Sequence, residues 1–220
     1  MFLKAQGFLT VAALLTFSSA AIAQVPPRMR GTVVSVAGDD AVIRTPVGRV
    51  TVHLAADTRF AGAKKVSLDE IKPNSFIGTA AVTAANGTLR ALEVTIFPEA
   101  MRGVGEGSHP WDLGKSGLMT NGAVSSMTDG TVAAAASASS MTNGTVGAMS
   151  DNRARTIKVS YKGGEQTVDL PETIPVVALE PGDKTLLKTG AKVVVFGPVS
   201  GTTVDAKQVV VGEDGVKPPM

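Results

Sequence analysis

The chain has 220 residues, with 21 Lys and Arg against 19 Asp and Glu, two His, one Trp, one Tyr and no Cys. Without Cys it has no disulfides, no thiolate metal site and no cysteine nucleophile. A near-neutral balance of scattered charges, with Lys64-Lys65 the only adjacent basic pair, argues against nucleic-acid binding by counterion release.

Residues 1–23 read as a secretory signal peptide. Lys4 supplies a short positive region, Phe8 to Phe17 an apolar run, and Ala21-Ile22-Ala23 a small-x-small cleavage motif before Gln24. That run falls well short of the roughly 20 residues that span a bilayer. Export to a periplasm or beyond, with cleavage after Ala23, is the expectation. Three of the seven Phe lie within this segment, so few aromatic side chains are left for stacking on single strands.

Residues 28–97 are expected to form a first β module. Strands are predicted at 31–36, 41–45 and 49–55, separated by turns at Ala37-Gly38-Asp39-Asp40 and Pro46-Val47-Gly48. In the third, Val50, Val52 and Leu54 share one face and Thr51 and His53 the other, the period-2 alternation of a half-buried sheet. Ser67 followed by Glu70, with Pro73 beyond, predicts one short capped helical turn. Strands at 76–83 and 88–97 follow, joined at Asn86-Gly87, a hairpin signal.

A glycine-rich linker, 98–116, comes next and carries Trp111. The segment 117–142 is a low-complexity insert in which a six-residue word recurs, Met119-Thr-Asn-Gly-Ala-Val124 and Met127-Thr-Asp-Gly-Thr-Val132, with a third copy at Met141-Thr-Asn-Gly-Thr-Val146. Near-identical words compete for one strand position where register is weakly specified. The third copy is taken to open a second module at 143–214, with strands at 144–149, 156–161, 165–170, 192–198 and 204–211 and a short connection over 181–187. Residues 215–220 form a C-terminal tail. Val193-Val194-Val195-Phe196 suits a strand buried on both faces.

The two modules read as an internal duplication. Thr51-Val52-His53-Leu54 matches Thr167-Val168-Asp169-Leu170 about 116 residues on, Gly31-Thr32-Val33 matches Gly144-Thr145-Val146, and Asn86-Gly87-Thr88 matches Ser200-Gly201-Thr202. The order of three strands, a short helix and two strands is that of an OB-like barrel. The expected fold is therefore all-β: two tandem OB-like small β-barrels, each with one short helix, packed against each other.

The pattern GTVVSVAGDDAVIRT, GRVTVHL, SLDEIKPNSFIGTAAV, NGTLRALEVTIFPEAMRGVGEG, HPWDL, MTNGTV and DGVKPPM resembles a family of exported bacterial proteins built from an OB-like domain of unknown function. It covers essentially the whole chain beyond the signal peptide. Some members of that family carry labels as metal ABC transporter components, including permease. A permease needs several spanning helices, for which no segment here is apolar enough. The resemblance implies the fold and no activity.

His53 and His109, with Asp112, are the groups a metal site would use, and a closed zinc site would need further carboxylates such as Asp57 or Glu106. No metal or cofactor is assigned. Met119, Met127 and Met141 each begin the repeated word, so duplication explains them better than copper ligation does. Gly103, Gly105 and Gly107 run into Ser108-His109-Pro110 and lack the GxGxxG spacing and helix of a dinucleotide loop. Ser108, His109 and Asp112 are too close in sequence to be read as a hydrolytic triad, whose members converge from a rigid scaffold. The favoured contact residues are Arg102, Glu106, His109, Trp111 and Asp112. The sequence thus predicts a non-catalytic exported binding or scaffolding protein, contacting an envelope protein, a saccharide or a small ligand through the linker and the cleft between barrels. A metal-handling accessory is the alternative, and a hydrolase the second.

Overall fold

The computed structural model describes residues 28–84, 87–111, 117–131 and 153–219. Within them the chain is all-β. The first half supplies β1 (Arg28–Ala37), β2 (Asp40–Thr45), β3 (Gly48–Val66), β4 (Phe76–Thr83) and β5 (Leu89–Ile96). Then come β6 (Gly107–Pro110), β7 (Gly117–Thr131), β8 (Arg153–Tyr161), β9 (Gly164–Leu170), β10 (Val176–Gly182), β11 (Lys192–Phe196), β12 (Val199–Ser200) and β13 (Thr203–Gly212). Three single 3-10 turns, Leu68–Glu70, Glu99–Met101 and Lys184–Leu186, interrupt them.

The pairing of these strands departs from two self-contained barrels in tandem. A closed five-stranded barrel runs β1-β2-β3-β13-β11 and back to β1, with β3–β13 parallel and every other pair antiparallel. Three of its strands come from the first half of the chain and two from the second. A second circuit runs β7-β8-β9-β5-β4 and back to β7, closing through a short parallel seam in which Leu89 faces Val168 and Arg90 faces Asp169. Here too the strands come from both halves, so the expected modules 28–97 and 143–214 exchange their last two strands. Alternation drives both interiors: Ile43, Val52, Leu54, Val193 and Val209 fill the first ring, and Ile77, Ala91, Val94, Ile157 and Val168 the second.

The physical cause of the exchange lies in β3. The sequence reading ends this strand at residue 55, but nothing between Asp57 and Val66 breaks an extended chain, and it continues for 19 residues. Its far half pairs antiparallel with β10, with Ala63 facing Leu179, two positions that stand about 116 residues apart like Thr51 and Thr167. A pseudo-twofold axis therefore passes through this pair. Ala61, Ala63, Val177, Leu179 and Val210 form a third apolar cluster there, joined by Phe97, Phe196 and Val216. Having crossed to the other ring, the chain delivers Leu68, Ile71 and Ile77 to the second interior, while Leu186 and Leu187 reach the first.

Two further expectations are corrected. Ser67 precedes a single 3-10 turn and its side chain makes no capping hydrogen bond, because the turn is too short for a capping box to close. The low-complexity insert 117–142 contains β7, whose first repeated word, Met119 to Val124, takes the strand position assigned to the third; the third copy lies outside the described residues. The equivalence with β1 is close. Gly31 and Gly122 both lie against a neighbouring backbone, where a Cβ would come within 2.5 Å of the Arg44 carbonyl oxygen and 2.3 Å of that of Ser160. Both strands then bulge, between Val33 and Ser35 and between Val124 and Ser126. Val33 N–H donates to the Ala191 carbonyl at 2.9 Å, as Val124 N–H donates to that of Ser75 at 2.9 Å.

The cysteine-free chain permits a direct check of the exchange. Thr32 and Lys192 are register partners across β1 and β11, and Cα atoms of antiparallel partners, about 4.5–5.5 Å apart, suit a disulfide. The pair Thr32→Cys and Lys192→Cys is expected to oxidise within one chain, seen by non-reducing electrophoresis and peptide mass. Free thiols, or only chain-to-chain bonds, would show that the halves close separately.

Candidate functional site

The linker residues singled out from sequence are placed by β6 and the turn before it. Arg102 forms a forked pair with Glu99, donates through Nη2 to the Asn74 carbonyl at 2.9 Å, and lies 5.8 Å from the Phe76 ring centroid. Glu106 accepts from Lys162 N–H at 2.8 Å, fixing the start of β6 beside β8. Trp111 donates its backbone N–H to the Gly117 carbonyl at 2.8 Å, and the Arg28 guanidinium sits 3.6 Å from its ring centroid. Three of the five favoured contact residues are thus engaged in pinning 99–111 to the body. Asp112 lies outside the described residues.

His109 is exposed on β6, opposite Met119. Its neighbour Ser108 is half-buried, and the Ser108 hydroxyl lies 3.0 Å from that of Thr120. Successive strand residues point to opposite faces, so the structure does not bring these two side chains together. His53 lies on the other ring, with Nδ1 3.1 Å from Asp40 Oδ1, while Asp57 lies 3.6 Å from Lys207 Nζ. Among the described residues no group of three or more His, Asp or Glu is placed to hold a metal. Gly103, Gly105 and Gly107 have φ of +84°, +61° and +131°, backbone that glycine adopts readily and that lets this connection wind into β6.

Residues that sequence reasoning passed over emerge when the outer faces of the two rings are compared row by row. In the first ring, register places Lys192, Thr32, Arg44 and Arg49 side by side across β11, β1, β2 and β3. The equivalent row of the second ring is Phe76, Ala123, Ser160 and Glu165. Arg44 and Arg49 are both exposed and directly opposite, an arrangement in which like charges cost stability. No carboxylate among the described residues pairs with either. Lys192 Nζ donates to the Thr32 hydroxyl at 3.0 Å.

The second ring's acid is matched internally. Glu165 accepts from Lys158 at 3.2 Å, Ser125 at 3.0 Å and Ser160 at 3.1 Å, and these hydrogen bonds, Lys158 first, hold its carboxyl below the usual range. The signal for the arginine row was present in the sequence: Arg44 and Arg49 flank the turn Thr45-Pro46-Val47-Gly48, and the duplication sets them against Ser160 and Glu165. Reading it required the strand register, which the structure supplies.

No family model matches the chain, and no curated protein or solved structure matches it at a significant level. Among the described residues no helix is long and apolar enough to cross a membrane.

Two measurements check these assignments. Trp111→Ala removes the ring under Arg28 and is expected to lower stability by about 1–3 kcal/mol, read by urea unfolding, since cation–π contacts of this kind contribute about 0.5–2 kcal/mol before packing is counted. For Glu165, a depressed folded pKa means that its stabilisation is present above the ordinary carboxylate value and is lost as pH falls through the folded one. Urea midpoints at neutral and strongly acidic pH should therefore converge more in Glu165→Gln than in the parent.

Proposed function

We propose that this chain is a non-catalytic exported binding protein that meets its partner through the outer face of the first ring. We read the two rings as OB-like barrels assembled by strand exchange between duplicated halves. Around each, the first three strands are followed by the fifth and then the fourth, with the third and fifth parallel. In that architecture the face of the second and third strands serves as a binding surface. Here that face is β2–β3, and the analogy is one of fold alone. The leader-like residues 1–23 and the resemblance to exported proteins support the location.

One observation carries the reading: equivalent outer rows differ in charge while the apolar interiors and the glycine before each bulge are kept. Packing accounts for what is kept, since each interior must be filled and each bulge needs its glycine. It does not account for Arg44 beside Arg49, which no acid among the described residues neutralises. The segment 99–111, with Arg102, Glu106 and Trp111 already bonded to the body, serves to hold β6 and β7 in place. His109 is exposed on β6 and takes no part in those bonds.

Paired photo-crosslinkers test the reading. Thr51 on β3 and Thr167 on β9 are equivalent outward positions on the two rings. In the native compartment, adducts are expected from position 51 and not from position 167. Equal labelling at both, or a silent position 51, would remove the first ring's face as the contact surface.

A further inference from the structure

Resting on that reading, we infer that the β2–β3 edge of the first ring docks on an anionic phospholipid surface. Surface arginines are ordinarily solvated and need no partner. Three features set this pair apart.

The first is the row itself. Neighbouring strands stand about 4.8 Å apart, so Arg44 and Arg49 present two guanidinium groups one strand spacing apart, and Lys192 adds an ammonium two strands beyond Arg44. Guanidinium forks match phosphate oxygens two at a time, so paired arginines suit a phosphate-bearing surface. The chain as a whole is close to neutral, at a formal +2, so the row is a local asymmetry rather than a general basic character.

The second is the turn that joins the two arginines. Val47 is 94 % exposed, more than any other large apolar side chain among the described residues. It is held in that position. The Thr45 hydroxyl donates to the Gly48 carbonyl at 2.9 Å and accepts from Val47 N–H at 3.2 Å, and Gly48 adopts φ +136° to close the turn. An apolar tip between two cations has the composition of an interfacial anchor, with the side chain entering the head-group region and the charges meeting phosphates.

The third is what the face lacks. Where β2 and β3 pair, the outward residues Asp40, Val42, Arg44, Arg49, Thr51 and His53 include no Phe, Tyr or Trp. The one ring there is the imidazole of His53, held by Asp40 at 3.1 Å, so base stacking and sugar-ring stacking have little platform. An acidic polysaccharide could pair with the arginines but offers nothing to Val47, whereas a lipid surface engages both.

The test is co-sedimentation of the purified chain with vesicles of phosphatidylcholine containing phosphatidylglycerol, set against phosphatidylcholine alone. Binding is expected only to the anionic vesicles and should weaken with salt. Arg44→Gln with Arg49→Gln should reduce partition about 30-fold, each basic group near an anionic surface contributing about fivefold. The same double variant should leave the urea midpoint unchanged or slightly raised, because it relieves a like-charge pair, so lost binding could not be assigned to unfolding. Val47→Ser should weaken partition severalfold and leave its salt dependence intact. No binding to anionic vesicles, or binding that the double variant leaves unchanged, overturns the inference. Binding to dextran sulfate but not to vesicles overturns it in favour of a polysaccharide, while the crosslinking contrast between positions 51 and 167 would still stand. A silent position 51 would remove both readings.

Discussion

The antiparallel pairing of β3 with β10 is the constraint on which the molecule depends. Each of these strands leaves one ring and delivers its half of the chain to the other, so both rings share the segment around Ala63 and Leu179. Small side chains suit that place. Ala61 and Ala63 let the crossing strands, β13 and Phe97 pack into one apolar cluster, and Thr58 secures the near end by donating its hydroxyl to the Ala206 carbonyl at 2.8 Å. Ala63 is fully buried there, so a bulky or charged residue in its place would break up the cluster that joins the two rings.

Strand exchange between duplicated units is the intramolecular form of domain swapping, in which the contacts of a closed unit are kept and only their connectivity changes. That is why the interiors look alike despite the altered chain path. The 3-10 turn at Lys184–Leu186 docks on the first ring, with Lys184 Nζ reaching the Gly38 carbonyl and lying 3.0 Å from Asp39 Oδ1. The turn at Leu68–Glu70 docks on the second, where Arg155 Nη1 donates to the Leu68 carbonyl at 3.2 Å and Nη2 lies 3.0 Å from Asp69 Oδ1. The first is received by the β1–β2 turn and the second by β8, each from the opposite half of the chain. Desolvation works against the charge on partly buried Arg155, but bonds to Asp129 and Asp69 hold its pKa above the usual value.

Much of the local structure was legible from residue order, and the connectivity was not. Alternation placed Val50, Val52 and Leu54 inward, and the run Val193 to Val195 is buried on both faces as its composition requires. Exchange leaves no local trace, because a strand packs the same way whichever half of the chain supplies its neighbour. The error at β7 has a similar origin. Gly31-Thr32-Val33 is identical to Gly144-Thr145-Val146 and differs from Gly122-Ala123-Val124 at its middle residue. Structurally, only the glycine at the close approach and the valine in the core are constrained, and the residue between them points outward and is free to vary. The arginine row was hidden for the same reason: outward positions carry no packing signal, and their meaning depends on which residues register sets beside them.

Connectivity of this kind also decides when the molecule can form. The first ring needs β13 beside β3 and β11 beside β1, so it closes only once residues up to Gly212 are present, whereas every strand of the second circuit lies between Phe76 and Leu170. Pairings between distant segments form slowly, since loop closure comes before the contacts that reward it. In a tandem arrangement each barrel would close by itself and one could fail alone. Exchange makes each ring depend on strands from both halves, and the outer face of β2–β3 is therefore held in register by β1 on one side and β13 on the other.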